Sequence, residues 1–131
     1  MAEEGILVVG HGSKLGYSKE AVSYCADQLG KRFAPTPVKV GFMNINEPRI
    51  KDSLEELISS GASTIYVVPA FLAHGIHTTK DITSVLGIPE GEKEATVQVN
   101  GSSVKLNYCE PIGCDERIAE ILEERVRARM E

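Results

Sequence analysis

The sequence predicts an α/β protein, a three-layer sandwich with helices on both sides of a mainly parallel, four-stranded sheet, flavodoxin-like in style. Three observations predict it. Ile6-Leu7-Val8-Val9 and Ile65-Tyr66-Val67-Val68 are short, continuous apolar runs, the pattern of strands buried on both faces. Amphipathic helical stretches separate the runs, and strand–helix alternation gives parallel strands joined by crossovers. Glycines and prolines punctuate the junctions. The 131 residues suffice for one domain, spanning 1–131.

In chain order, residues 5–10 form the first strand, followed by the loop Gly10-His11-Gly12-Ser13. A helix then places Val22, Cys25, Ala26, Leu29 and Phe33 on one face and ends before Pro35 and Pro37. Residues 38–43 are a second strand. A loop carrying Asn44, Asn46 and Glu47 runs into a helix with Pro48 at its first position and Ile50, Leu54, Leu57 and Ile58 inward. Gly61 closes that helix, and residues 64–69 form the third strand. Thr78 or Thr79 caps a short helix ending at Leu86, stopped by Gly87 and Pro89. Residues 96–99 and 104–108 flank Asn100-Gly101, a pair suited to a type I′ hairpin turn, and the second arm enters the sheet as the fourth parallel strand. Asp115 caps a final helix with Ile118, Ile121, Leu122, Val126 and Met130 inward.

Composition narrows the function. A hydrophobic content of 42% and a charged content of 25% are those of an ordinary globular protein. No apolar stretch nears the roughly 20 residues that span a bilayer, and the acidic start is unlike a signal peptide. A cytoplasmic location without membrane contact is expected. The net charge of −5 argues against a nucleic-acid partner, which requires a basic face. Cys25, Cys109 and Cys114 are odd in number and lack a Cys-x-x-Cys spacing, so buried thiols are expected rather than a disulfide or zinc cluster.

The chemistry concentrates in the three histidines, all of which follow strand-forming runs: His11 after the first, His74 and His77 after the third. In an open parallel sheet, ligands bind just past the carboxyl ends of the strands. Glycines on both sides of His11 leave its ring accessible, and a neutral imidazole either accepts a proton or ligates a divalent metal. A turn histidine that merely caps the next helix fits the tetrapeptide equally well. His74-Gly75-Ile76-His77 is weak taken alone, because two histidines three apart are common, and Pro69 and Gly75 suggest an irregular loop there. Glu47 lies past the second strand, on the ligand side, where a carboxylate serves either a ligand or a helix start. Ser13 lacks the surroundings of a hydrolase nucleophile, and the glycine loop matches no phosphate-binding fingerprint.

Taken together, Val8-Val9-Gly10-His11-Gly12-Ser13, Gly41-Phe42-Met43-Asn44-Ile45-Asn46-Glu47-Pro48, the stretch from Val68 to Ile82 that includes Ala70-Phe71-Leu72-Ala73-His74-Gly75-Ile76-His77, and Cys109-Glu110-Pro111-Ile112-Gly113 resemble the small archaeal sirohydrochlorin chelatases. The likeness runs nearly end to end, in family order. It implies a chelatase-like fold and ATP-independent insertion of Co²⁺ or Ni²⁺ into sirohydrochlorin, on the route to cobalamin or a nickel tetrapyrrole. It further implies that His11 is the proton acceptor and a metal ligand and that His77 is the second metal ligand. Leu72, Ala73, His74, Gly75 and Ile76, with His77 and Glu47, then match substrate-contact positions. No tightly bound cofactor is expected, the metal being a substrate.

These roles agree with the chemistry. Metal insertion removes two pyrrole N–H protons and exchanges the metal's ligands for ring nitrogens. An imidazole serves the first step as base and the second as a labile ligand, which requires an open coordination position. The substrate's eight carboxylates meet an acidic chain, so Lys14, Arg49, Lys80 and helix-start amides must make the cleft locally favourable. A cleft that broad is expected to need two copies, a homodimer. Two rivals remain: a carrier that binds metal or tetrapyrrole without turnover, and a phosphoryl carrier using His11.

Overall fold

The computed structural model describes residues 3–12, 16–71 and 76–130, the side chains at 17, 18 and 76–79 excepted. Along the chain run β1 (Glu4–Gly10), α1 (Gly16–Phe33), β2 (Val38–Phe42), α2 (Ile50–Ser59), β3 (Thr64–Pro69), α3 (Ile76–Leu86), β4 (Glu94–Val99), β5 (Ser102–Tyr108) and α4 (Glu116–Met130). The sheet has the order β2-β1-β3-β5-β4. β1 pairs in parallel with β2 and β3, and β3 with β5. The three parallel crossovers therefore deliver the ends of β1, β2, β3 and β5 to one edge.

Strand composition sorts the two faces. Leu7 and Val9 of β1, Ile65 and Val67 of β3, and Val104 and Leu106 of β5 are buried with Leu54 and Leu57 of α2 and Ile82 and Leu86 of α3. Each such leucine or isoleucine contributes about 1.5–3 kcal/mol on leaving water. On the opposite face, Ile6, Val8 and Phe42 pack on Val22 and Ala26 of α1. Ser53, buried on α2, donates its Oγ–H to the Val40 carbonyl at 2.5 Å and pins the helix to β2. Gly41 permits that approach, since a Cβ there would lie 2.8 Å from the Ile50 Cα.

Several expectations need correction. The sheet has five strands rather than four, because the first hairpin arm, β4, pairs antiparallel with β5 along its whole length. The turn itself is as read from Asn-Gly: Asn100 and Gly101 have φ of 49° and 84°, as a type I′ turn demands. Pro48 is not the first helical residue. Its carbonyl accepts the Phe42 N–H at 2.9 Å, so the chain stays extended through Arg49 and α2 starts at Ile50. α3 starts at Ile76, so Thr78 and Thr79 lie inside it rather than capping it.

The largest departure concerns α4. Asp115 caps it as expected, its Oδ1 accepting the Arg117 N–H at 2.9 Å, but Ile121, Leu122, Val126 and Met130 are exposed and no residue of the helix is buried. Among the described residues, α1 is then the one helix packed on the Ile6–Val8 face, opposite α2 and α3. Against the expectation of buried thiols, Cys25 and Cys114 are exposed and Cys109 half-buried, and all three are free.

Candidate functional site at the carboxyl edge

The site begins with the way two loops are joined. Beyond β1, the Gly10 carbonyl accepts the Met43 N–H at 2.9 Å and the His11 carbonyl accepts the Asn44 N–H at 3.0 Å. The parallel pairing of β1 with β2 is thus carried past the strand ends into the loops. Glycine is required at two places for this closeness. Gly12 has φ of 99° and its missing Cβ would fall 1.9 Å from the Asn44 carbonyl oxygen. At Gly10 a Cβ would press on the Phe42 ring at 2.8 Å. The glycines flanking His11 serve backbone approach as well as access to the ring.

His11 itself is exposed, its Nδ1 lying 3.4 Å from the Gly12 carbonyl oxygen. An imidazole in this position presents a ring nitrogen to solvent from a backbone that hydrogen bonds hold in place. Glu47 is exposed in the neighbouring loop. There the Asn46 N–H bonds the Asn44 carbonyl at 2.6 Å and Ile45 has φ of 64°, a tight excursion that leaves the Ile45 side chain in solvent. Arg49 is exposed, with Nη1 3.4 Å from the Met43 carbonyl oxygen.

The third and fourth parallel strands complete the edge. The Ala70 N–H donates to the Val9 carbonyl at 2.8 Å, the Cys109 N–H to Val67 at 2.7 Å and the Ile112 N–H to Phe71 at 3.2 Å. The chain leaving β3 is therefore fastened to β1 on one side and to the segment after β5 on the other. Leu72, Ala73, His74 and Gly75 lie outside the described residues, as do Ser13, Lys14 and the side chains of Ile76 and His77. The described chain fixes both ends of that segment, at Phe71 and at the first turn of α3, which carries His77 at its second residue. Lys80 is exposed, with Nζ 4.0 Å from Glu90.

Sequence reading overlooked two features of this edge. Ile45 and Ile112 present exposed apolar side chains from the loops after β2 and β5. Only the Asn-rich setting of Ile45 and the Pro111 and Gly113 neighbours of Ile112 hinted that these isoleucines sit in turns. Near the same edge Glu110 pairs with Lys93 at 2.5 Å, and burial, with the Glu110 charge adding to it, pushes the Cys109 thiol up from its ordinary pKa. Among the described residues no three His, Cys, Asp or Glu side chains converge on one metal position.

A mainly parallel sheet with helices on both faces, whose carboxyl edge carries an exposed histidine on a backbone-fixed loop, is an α/β architecture of the class in which ligands bind at the strand ends. The chain belongs to the CbiX family, whose family model matches residues 5–129. It is 41% identical over 123 residues, 94% of each chain, to the sirohydrochlorin cobaltochelatase of Methanosarcina barkeri. It is 41% identical over 131 residues to that of Methanothermobacter thermautotrophicus, covering 95% of this chain and 91% of the other. Among solved structures, the sirohydrochlorin chelatase of Bacillus subtilis subspecies spizizenii in complex with cobalt superposes with a TM-score of 0.77 at 24% identity, a likeness of fold. The match takes in 96% of this chain and 50% of the Bacillus one, so this chain spans about half that protein's length.

Proposed function

We propose that this protein is a sirohydrochlorin metallochelatase that inserts Co²⁺ or Ni²⁺ into its tetrapyrrole without ATP and without a resident cofactor. The observation that carries the reading is the exposed His11 imidazole on a loop tied by backbone bonds to the next, in a chain related along almost its whole length to proteins named sirohydrochlorin cobaltochelatase. In this reading the macrocycle lies across the carboxyl edge. The His11 imidazole accepts a pyrrole N–H proton and holds the incoming metal, and His77 supplies a second ligand. The stretch of Leu72, Ala73, His74, Gly75 and Ile76 contacts the ring, Glu47 approaches from the second loop, and Ile45 and Ile112 offer apolar contact to the ring's face. Lys14, Arg49 and Lys80, with helix-start amides, meet the substrate's carboxylates, and of these Arg49 and Lys80 are exposed among the described residues. Imidazole ligands accept cobalt and nickel alike, so both metals are substrates and supply decides between cobalamin and nickel-tetrapyrrole synthesis.

The same reading makes the protein a cytoplasmic homodimer. No helix among the described residues is long and apolar enough to cross a membrane. The experiment is anaerobic incubation with sirohydrochlorin and each metal in excess, followed by absorbance. Multiple turnovers with both metals are expected. Stoichiometric binding without turnover would make the protein a carrier, and rejection of either metal would overturn the dual specificity.

A further inference from the structure

We propose that α4 is an exchanged arm: in a two-fold dimer each copy lays its α4 into the apolar groove of the other. The inference rests on the homodimer reading above and gives that dimer its interface.

Two unmatched surfaces in one chain carry it. The first is the groove. Beside α1, the one helix packed on this sheet face among the described residues, an open depression of roughly 410 Å³ is lined by Ile6, Leu29, Phe33, Tyr66, Val68 and Cys109. The β3 sequence is continuously apolar, as in a strand covered on both faces, yet Ile65 and Val67 are buried while Tyr66 is 37% exposed. Phe33 in the last turn of α1 is 51% exposed. The residues are those of an interior, with the covering layer missing.

The second surface is α4. Leu122, Val126 and Met130 recur every fourth residue, with Ile118 and Ile121 beside them, and Leu122 and Val126 are 59% and 58% exposed. A 15-residue helix is marginal in water when nothing packs on it. Asp115 at its start and one Arg127–Glu123 pair are the local support on the helix, and neither covers the apolar side. The helix measures about 22 Å. It leaves the sheet through residues 109–115, with Gly113 at φ of 67°, and none of its residues is among those lining the groove.

A second copy is the occupant that needs no further assumption, because it brings the same helix and the same groove. Two reciprocal contacts together need to bury about 1,200–2,000 Å² to make a stable interface. The Bacillus chain, of which this one matches 50%, carries as much chain again, and a second copy stands in for it. The crossing segment lies at the carboxyl edge, since Cys109 and Ile112 are bonded to Val67 and Phe71 there. The exchange therefore joins the two copies beside their candidate sites.

The test uses the full chain. An equal mixture of ¹⁴N- and ¹⁵N-labelled protein, refolded together, is treated with a zero-length carboxyl–amine cross-linker. Mixed-isotope links from Glu120, Glu123 or Glu124 to Lys31 or Lys105 are expected, because those lysines lie at the end of α1 and on β5 opposite Thr64, two residues from Tyr66. Links confined to one isotope would overturn the exchange. In a Cys25→Ser, Cys114→Ser background, light scattering is expected to give a dimer mass and Cys109 to react with a thiol reagent at least tenfold more slowly than after Leu122→Glu with Val126→Glu, which should be monomeric. A dimer in which Cys109 reacts as fast as in the glutamate variant, or a glutamate variant that stays dimeric, would refute the exchange and leave the homodimer standing. A wild-type monomer would refute both. Chelation is assayed separately, so none of these results bears on the reaction.

Discussion

At the scale of single residues, His11 and Gly12 have separable duties. His11 meets Asn44 through its backbone carbonyl, which any side chain retains. His11→Ala should therefore leave the thermal midpoint and circular dichroism unchanged while lowering chelatase turnover by roughly 10²–10⁴-fold, the usual loss for a positioned base. Gly12→Ala should do something different. Its methyl would collide with the Asn44 carbonyl at a φ of 99°, so the loops must part, at about 1–3 kcal/mol. A lowered denaturation midpoint together with reduced turnover is the expected result, and a fully stable, active Gly12→Ala would show that the junction is unimportant. The exposed place of the histidine just past β1 was legible in sequence because an apolar strand run ends at the glycine before it. The glycine's contact was not, because it depends on how closely β1 and β2 run after they end.

At the scale of elements, the terminal helix offers a pH test. The Arg117 guanidinium and backbone N–H bonded to Asp115 hold its carboxyl well below the ordinary carboxylate range, at about 2. Because the folded value is depressed, the cap supports α4 fully above the unfolded pKa of about 4. That support is lost as pH falls through about 2. The Arg117 amide resonance should shift with a midpoint near that value, and Asp115→Asn should abolish the titration. Elements with local signals were the readable ones. Asn100-Gly101 dictated its hairpin, and the stripe of Ile50, Leu54 and Leu57 dictated the buried side of α2. α4 was misread because amphipathicity reports that a helix has an apolar side, not which surface covers it. β4 was left out of the strand count because pairing on the far side of β5 depends on the edge that β3 leaves open.

At the scale of the molecule, strand order β2-β1-β3-β5-β4 has a consequence for motion. β1 and β3 each have parallel neighbours on both sides, and these two strands lead to His11 and to the segment bearing His74 and His77. Amides paired in the centre of a sheet exchange with solvent deuterium only through large-scale opening, whereas loop amides exchange by local fluctuation. Leu7, Val8, Val67 and Val68 should thus be among the slowest amides in the protein, with Ile45 and Glu47 among the fastest. Comparable exchange rates in both groups would contradict this ordering. The tip of the loop after β2, at Ile45 and Glu47, can then adjust around a large flat ligand many times within the lifetime of the strands that carry it. Metal insertion would draw its mobility from segments whose opening leaves the fold intact.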